Sequence, residues 1–366
     1  MSLSSTTLET PRQYQGVFER TSKRYLPLLE DARATLREYP VPDFIRDDYL
    51  SIVEGRAQPA FILFPLMYLD LADATGGLTE RQRAYLPWQM LAMELIALYD
   101  DTVDQTPQRS GAPTYTHQHG PAAATALSGF LFGTLVERTA EVVPELSALL
   151  TKAFENLCAR GLWEHQSRYP EVSVDSFAAW MRKRNDAIPP IIAYTLDGCL
   201  LLQQLGPIPE AARATFGDLM QDVDDLVNIV EARENQGEND DLKMGIPSYP
   251  LLATIRADPS ARRLLDELWS SYRLQQTRSR PISSDDDSAA NEAAHRELVA
   301  LVRHHGVSET TEKVIRDAER VVTATPHHAR AAMREYAFSV VDRLRDCDPR
   351  ASIARTLSAT TYSPEG

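Results

Sequence analysis

Glycine is scarce, with 16 residues in 366, and strand-like alternation of apolar and polar residues is almost absent. Both argue against a sheet-built fold. Cysteine is scarcer still. Cys158, Cys199 and Cys347 are far apart and odd in number. They fit neither a zinc spacing nor a disulfide framework, which points to a reducing, cytoplasmic setting. No apolar run reaches the roughly 18 residues of a membrane span, so no stable membrane insertion is expected. The segment from Met1 to Gln15 is polar and lacks an apolar signal core. Positive charge is in deficit: 38 Lys and Arg stand against 52 Asp and Glu, a net charge of -14. Nucleic acid and anionic membrane both need cationic patches, so neither is an expected partner.

What is abundant is helix-forming. Ala, Leu, Glu and Arg recur in long periodic stretches, and 43% of the chain is hydrophobic, enough for a sizeable core. The pattern predicts an all-α chain, a single large helical bundle around a central cavity. Helices are expected over about 14–39, 57–75, 79–104, 119–139, 143–168, 173–188, 190–205, 208–234, 292–305, 308–324 and 327–346. Residues 1–12 read as disordered, 13–349 as one helical domain and 350–366 as a tail. The stretch 105–118 reads as a Pro/Gly/Thr loop, 235–247 as a charged loop and 277–291 as a mobile one.

Against that background the run Asp100-Asp101-Thr102-Val103-Asp104 stands out. It ends an apolar helical stretch that begins at Leu86. Asp100 and Asp104 are spaced i, i+4, so they share a helix face. Three carboxylates so close repel one another unless a cation sits between them. All-oxygen ligation suits a hard ion such as Mg2+, which keeps several waters and commonly also binds phosphate. Taken alone, the run has a plainer reading as a solvated helix end.

A second acidic stretch supplies the counterpart. Between Gln221 and Glu231, the residues Asp224, Asn228 and Glu231 fall within roughly 60° of one another on a helix. Leu226, Val227, Ile229 and Val230 point elsewhere. A mostly apolar helix with one oxygen-rich stripe needs a metal or a water-filled cavity beside that stripe. Two such stripes facing each other across a bundle would hold several Mg2+ ions on one diphosphate. The net negative charge repels that ligand, so a few placed arginines are needed as well.

These residues carry a resemblance to a known family. From Glu94 to Gly133 the chain reads ELIALYDDTVDQTPQRSGAPTYTHQHGPAAATALSGFLFG. This resembles the first aspartate-rich region of the trans-isoprenyl diphosphate synthases. Gln221 to Asn228 resembles their second motif, and Asp241 to Pro250 the segment after it. The resemblance implies an isoprenoid-synthase fold, a homodimer, three Mg2+ ions and a prenyl diphosphate substrate. It implies metal ligands at Asp100, Asp101, Asp104 and Asp224; Asn228 stands where the second motif has its third aspartate, and Glu231, on the same helix face but one residue off the position class I terpene cyclases use, completes the candidate set. It places Arg109 and Lys243 on the diphosphate; the segment Trp180 to Pro190 resembles the diphosphate-sensing arginine segment of bacterial class I terpene cyclases, which adds Arg184, with Arg182 as the runner-up. Asp100, Asp104, Asp224 and Arg184 carry the catalytic expectation.

The departures from the family pattern are as informative. In chain-elongating members a second diphosphate, isopentenyl diphosphate, is held by cations. Here Gly55-Arg56-Ala57-Gln58-Pro59 carries one cation where two are expected, Ser110 replaces an arginine, and Thr116 replaces a histidine, with His117 adjacent. The later Gly-Lys lysine is Ile246. A diphosphate without its cations is poorly bound. The expectation is therefore a class I terpene synthase, or cyclase, that ionises one allylic diphosphate and lets the carbocation cyclise. A dry, aromatic-rich cavity is needed, for which Phe61, Phe64, Ile96, Tyr99, Phe130 and Trp180 are the candidates. Leu95 and Ile96, not aromatics, precede the first motif, which favours a C20 over a C15 substrate. The alternatives are a chain-elongating synthase with a divergent second site, or an inactive partner subunit of one.

Overall fold

The 3.6-residue apolar period folds into helices throughout. A computed structural model of the chain describes residues 15–54, 59–109, 112–167, 173–231, 242, 246–277, 285–351 and 354. In chain order the helices are α1 (Gln15–Glu38), α2 (Arg46–Val53), α3 (Pro59–Ala74), α4 (Glu80–Asp104), α5 (Tyr115–His119), α6 (Pro121–Val142), α7 (Pro144–Ser167) and α8 (Val174–Asn185). They continue as α9 (Ile188–Ile192), α10 (Gly198–Leu202), α11 (Glu210–Glu231), α12 (Tyr249–Ala257), α13 (Ser260–Thr277), α14 (Asp285–Leu301), α15 (Val307–Ala324) and α16 (His327–Asp342). Five-residue π turns, Ala193–Asp197 and Val302–Gly306, join α9 to α10 and α14 to α15. Among the described residues the only strands are β1 (Gln108–Arg109) and β2 (Ala112–Pro113), an antiparallel pair.

Two helices organise the bundle. α4 packs against α1, α3 and α6, and α11 packs against α9, α15 and α16. α4 starts on a capping box: the Gln82 amide donates to the Thr79 hydroxyl, and the Thr79 amide donates to the Gln82 side chain. It ends at Gln105, whose left-handed φ of 53° closes the last turn by donating its N–H to the Asp101 carbonyl. The interior is built partly from tyrosines. Tyr85 is fully buried between Tyr68 and Tyr194, each 5.7 Å away between ring centroids. Tyr85 and Tyr68 spend their hydroxyls on the carbonyls of Tyr194 and Gln82, as buried phenols must. At the second π turn, a Cβ on Gly306 would lie 2.7 Å from Thr254 Oγ1 and 2.8 Å from the Pro250 carbonyl. Only glycine permits that approach of α12.

The structure corrects the expected organisation in three places. The stretch 105–118 is not a plain loop: it holds the β1–β2 hairpin and the start of α5, which Thr114 caps by accepting from the His117 amide. The segment 277–291 is not wholly a loop, because α14 begins at Asp285. Aspartates in a first helical turn are favoured by the helix dipole, so the acidic run starts a helix. Helices α2, α12 and α13 were not foreseen. Residues 1–12, most of 235–247 and most of the tail 350–366 lie outside the described residues. Among the described residues no helix is long and apolar enough to cross a membrane.

Candidate active site

The first acidic run occupies the last turn of α4, where the unpaired helix carbonyls already carry partial negative charge. Carboxylates there raise the demand for a cation. The chain supplies one from the adjacent hairpin. Arg109 on β1 donates from Nη2 to Asp100 at 2.8 Å and from Nε to Asp101 at 2.7 Å. Burial works against its charge, but Asp100 and Asp101 outweigh burial and hold the guanidinium more firmly protonated than usual. Thr114 ties the hairpin back to the helix end by donating to the Thr106 carbonyl at 2.6 Å. The two aspartates differ in access: the Asp100 side chain is 37% exposed and that of Asp101 only 11%.

The second stripe lies in the last turns of α11. Asp224 and Asn228 point the same way, with Asn228 Nδ2 3.4 Å from Asp224 Oδ2. Both are open to solvent, while Leu226, Val227 and Ile229 are buried. Arg343, at the C-terminal cap of α16, donates to Asp224 at 3.0 Å. The neighbouring carboxylates turn inward. Asp225 accepts from Arg184 at 2.9 and 3.1 Å and from Gln221 at 2.7 Å. Burial raises its pKa, and Arg184 and Gln221 offset only part of that. Asp222 is held by Lys313 at 2.6 Å, which also reaches Asp317 at 2.7 Å. Burial still pushes Asp222 up to about 6.

A short relay of contacts runs from the C-terminal part of α4 through α7 and α8 to α11. The Tyr99 hydroxyl, one turn before the end of α4, approaches the Cys158 carbonyl on α7 at 3.5 Å. Gly161 leaves room for it: a Cβ there would sit 3.1 Å from the same hydroxyl. One turn further along α7, Glu164 comes within 3.6 Å of Arg184, the partner of Asp225. Six residues of helix span about 9 Å.

The donor chemistry suits a hard divalent ion. Asp100 and Asp104 at one helix end, and Asp224 and Asn228 at the other, offer only oxygen ligands besides an amide nitrogen that can turn away. Among the described residues no three acidic, His or Cys side chains stand close enough to hold an ion as placed. Arg109 and Arg343 instead compensate the charge of the two stripes.

The remaining candidates separate clearly. Arg184 is buried and held by Asp225 and Glu164, so it is not an open cation facing a substrate. Arg182 is exposed, two residues and so about 200° away around α8. Trp180 is buried and packs on Trp163 with ring centroids 5.0 Å apart. Phe64 and Ile96 are buried, and Tyr99 and Phe130 are partly buried against the core. The side chains of Phe61, Glu231 and Lys243 lie outside the described residues.

Sequence reasoning missed Arg343, Lys313 and Asp222. It also missed a pocket of about 110 Å³ bordered by Arg109 and Asp101. Ser51, Glu94, Asp101, Arg109, Tyr115 and Gln118 are among its lining residues. Its walls belong to α2, α4 and the start of α5. Thr116, expected in place of a histidine, is buried and bonded to Thr102 at 2.9 Å; it does not line the pocket. His117 beside it is exposed.

An all-helical bundle with two aspartate-bearing helix ends defines a class of enzyme, and comparison with known proteins agrees. The chain belongs to the polyprenyl synthetase family, whose model matches residues 65–280. Solved structures of similar shape include a heptaprenyl diphosphate synthase from Staphylococcus aureus, with a TM-score of 0.66 and 12% identity over 87% of this chain and 97% of that one. A polyprenyl synthetase from Streptomyces coelicolor is 20% identical, with a TM-score of 0.64 over 88% and 98%. A polyprenyl synthase from Caulobacter crescentus, in complex with calcium and isoprenyl diphosphate, is 16% identical, with a TM-score of 0.65 over 90% and 99%. At these identities the likeness shows the fold. No curated protein matches the chain.

Proposed function

We propose that this member of the family is a terpene synthase that ionises one allylic prenyl diphosphate and cyclises the resulting cation, with C20 the expected substrate length. One observation carries the reading. Both oxygen-bearing helix ends are kept, while the pocket at Arg109 is lined by the carboxylates of Glu94 and Asp101 and by an arginine already paired with Asp100 and Asp101. A second diphosphate would meet carboxylates where it needs cations.

Asp100 and Asp104 on α4, with Asp224 and Asn228 on α11, would hold the divalent ions. Mg2+ held by these residues would supply the charge neutralisation that a leaving diphosphate needs. Arg109 and Arg343 neutralise Asp100, Asp101 and Asp224 in this structure, and would turn to the diphosphate once ions take up those carboxylates. Arg184 acts one step back, fixing α11 through Asp225. The buried faces of Ile96 and Trp180 help keep water from the cation.

Family membership and the names of the solved relatives speak more directly for a second reading, chain elongation with isopentenyl diphosphate. One experiment separates the two. The protein is incubated with Mg2+ and C10, C15 or C20 allylic diphosphates, with and without isopentenyl diphosphate. Terpene hydrocarbon or alcohol formed without it supports cyclisation. A longer prenyl diphosphate, formed only with it, establishes elongation.

A further inference from the structure

Gln89 sits fully buried in the middle of α4, beside the buried Trp88 and one turn before the buried Ala92 and Met93. Its side-chain amide has one hydrogen-bond contact among the described residues. Nε2 lies 3.4 Å from the Thr195 hydroxyl, beyond the usual range for such a bond. Its Oε1 meets no donor there. Turning the amide over would give the oxygen to Thr195 and leave the nitrogen unpaired instead. Either way one polar end of a buried amide lacks a partner, which destabilises the site until a ligand meets it. Thr195 is fully buried as well and belongs to the π turn Ala193–Asp197, a helix distortion that recurs at functional sites.

Position gives the unpaired amide a meaning. Gln89 and Asp100 are three helical turns apart, so they share a face of α4 at a separation of about 16 Å. Met93 and Ile96 lie between them on that face. Exposure falls along the stripe, from 37% at the Asp100 side chain to 9% at Ile96, 1% at Met93 and 0% at Gln89. A prenyl chain whose diphosphate is held at Asp100 seeks an apolar surface, and this one leads down to Gln89. An isoprene unit is four bonds long and advances about 4–5 Å when extended. Three units stop short of Gln89, and a fourth reaches it.

The group that arrives is therefore the end of the chain remote from the diphosphate. A hydrocarbon end would seal the amide away from any partner. A charged end finds no counter-ion on Gln89 or Thr195. A hydroxyl both donates and accepts, so it satisfies the amide in either orientation and can bond Thr195 as well.

We propose that Gln89 and Thr195 form a specificity site for a hydroxyl group on the terminal unit of a C20 allylic diphosphate, which makes the substrate an oxygenated prenyl diphosphate. This deepens the reading above and rests on it for the place of the diphosphate at Asp100 and Asp104. The role is recognition alone: no bond is made or broken at Gln89.

The test measures binding, with Mg2+ and unreactive thiolodiphosphate analogues, by isothermal titration calorimetry. The ligands are C15 and C20 chains, each with and without a hydroxyl on the terminal unit. Wild type binds the hydroxylated C20 analogue at least tenfold more tightly than the plain one, because a site built to hydrogen-bond a hydroxyl rejects the analogue that lacks it. The hydroxylated C15 chain does not reach Gln89 and gains nothing over plain C15. Gln89→Leu and Thr195→Val put apolar groups of similar size into an apolar surrounding, so the fold is kept. Gln89→Leu abolishes the C20 preference and Thr195→Val reduces it severalfold. Equal affinity for the two C20 analogues in wild type, or a preference that survives in Gln89→Leu, overturns the assignment and leaves a buried water as the partner of the amide. Failure of every analogue to bind in a Mg2+-dependent way overturns the placement of the diphosphate instead.

Discussion

Replacing Arg184 by methionine tests whether the second motif depends on a buried ion pair. The guanidinium and the Asp225 carboxylate are 2.9 Å apart, with side chains only 6% and 2% exposed. At an effective dielectric of about 20, their attraction is about 6 kcal/mol, which the desolvation of both ions largely cancels. The pair as a whole therefore contributes little. Removing one member is another matter, because Asp225 then stays buried without its partner, at a cost of about 3–5 kcal/mol. Glu164 is less affected, since Arg160 still holds it at 3.1 Å. With an unfolding entropy of about 2.1 cal/mol/K per residue, the 366-residue chain loses about 1.3 °C per kcal/mol, or about 4–6 °C here. The pH dependence follows from the sign of the shift. Asp225 lies above its ordinary 3.8 in the fold, and losing Arg184 drives it higher. Its protonated form thus favours the fold, and that stabilisation is complete at low pH and lost as the pH rises. The deficit of Arg184→Met is larger at pH 8 than at pH 5.5. Adding Asp225→Leu removes the stranded carboxyl and recovers most of the loss. Thermal melts of the wild type, the single and the double variant at both pH values give the result. A single variant melting within about 1 °C of wild type at pH 8, or a double variant no better than the single, refutes the reasoning.

Two further predictions concern the same helices. Asp100→Ala combined with Asp104→Ala removes the expected ion ligands of α4 and lowers diphosphate release by about 10²–10³-fold; full turnover in that variant sinks the metal assignment. Asp222 titrates near 6 in the fold against 3.8 when unfolded, so protonation stabilises the fold by about 3 kcal/mol, fully below about pH 4 and no longer above pH 6. Asp222→Asn cannot titrate, so relative to wild type it gains about that amount between pH 4 and pH 7 in urea denaturation. A constant difference across the range shows that Lys313 keeps Asp222 ionised throughout.

The carboxylates were legible because each set lies on one helix, where spacing alone decides which share a face. Their partners were not. Arg343 lies 119 residues after Asp224, and Lys313 lies 91 after Asp222. No local pattern links residues so far apart. A signal for Arg184 did exist: it falls on the buried face of α8 with Phe177 and Trp180, at spacings of seven and four. A cation on an apolar stripe must be paired inside the protein, which separates it from Arg182. Glu94 carried the same mark, an acid within the apolar body of α4. The acidic start of α14 was misread because like charge suggests a loop unless the dipole of a following helix is considered.

Each motif contains an adjacent aspartate pair, and the structure divides the pair in the same way both times. The first member, Asp100 or Asp224, has a side chain 37% or 49% exposed. The second, Asp101 or Asp225, is 11% or 2% exposed and anchors an arginine, Arg109 or Arg184. Neighbours on a helix point about 100° apart, so a doubled aspartate at a helix end serves two directions at once. One carboxylate faces the space where a cation is wanted, and the other ties the helix to the element beside it. That second tie differs in depth. Arg109 reaches both members of its pair from a two-residue strand at the surface, whereas Arg184 is sunk in the bundle. The α4 pair is tied by an arginine side chain 25% exposed, the α11 pair by one only 6% exposed.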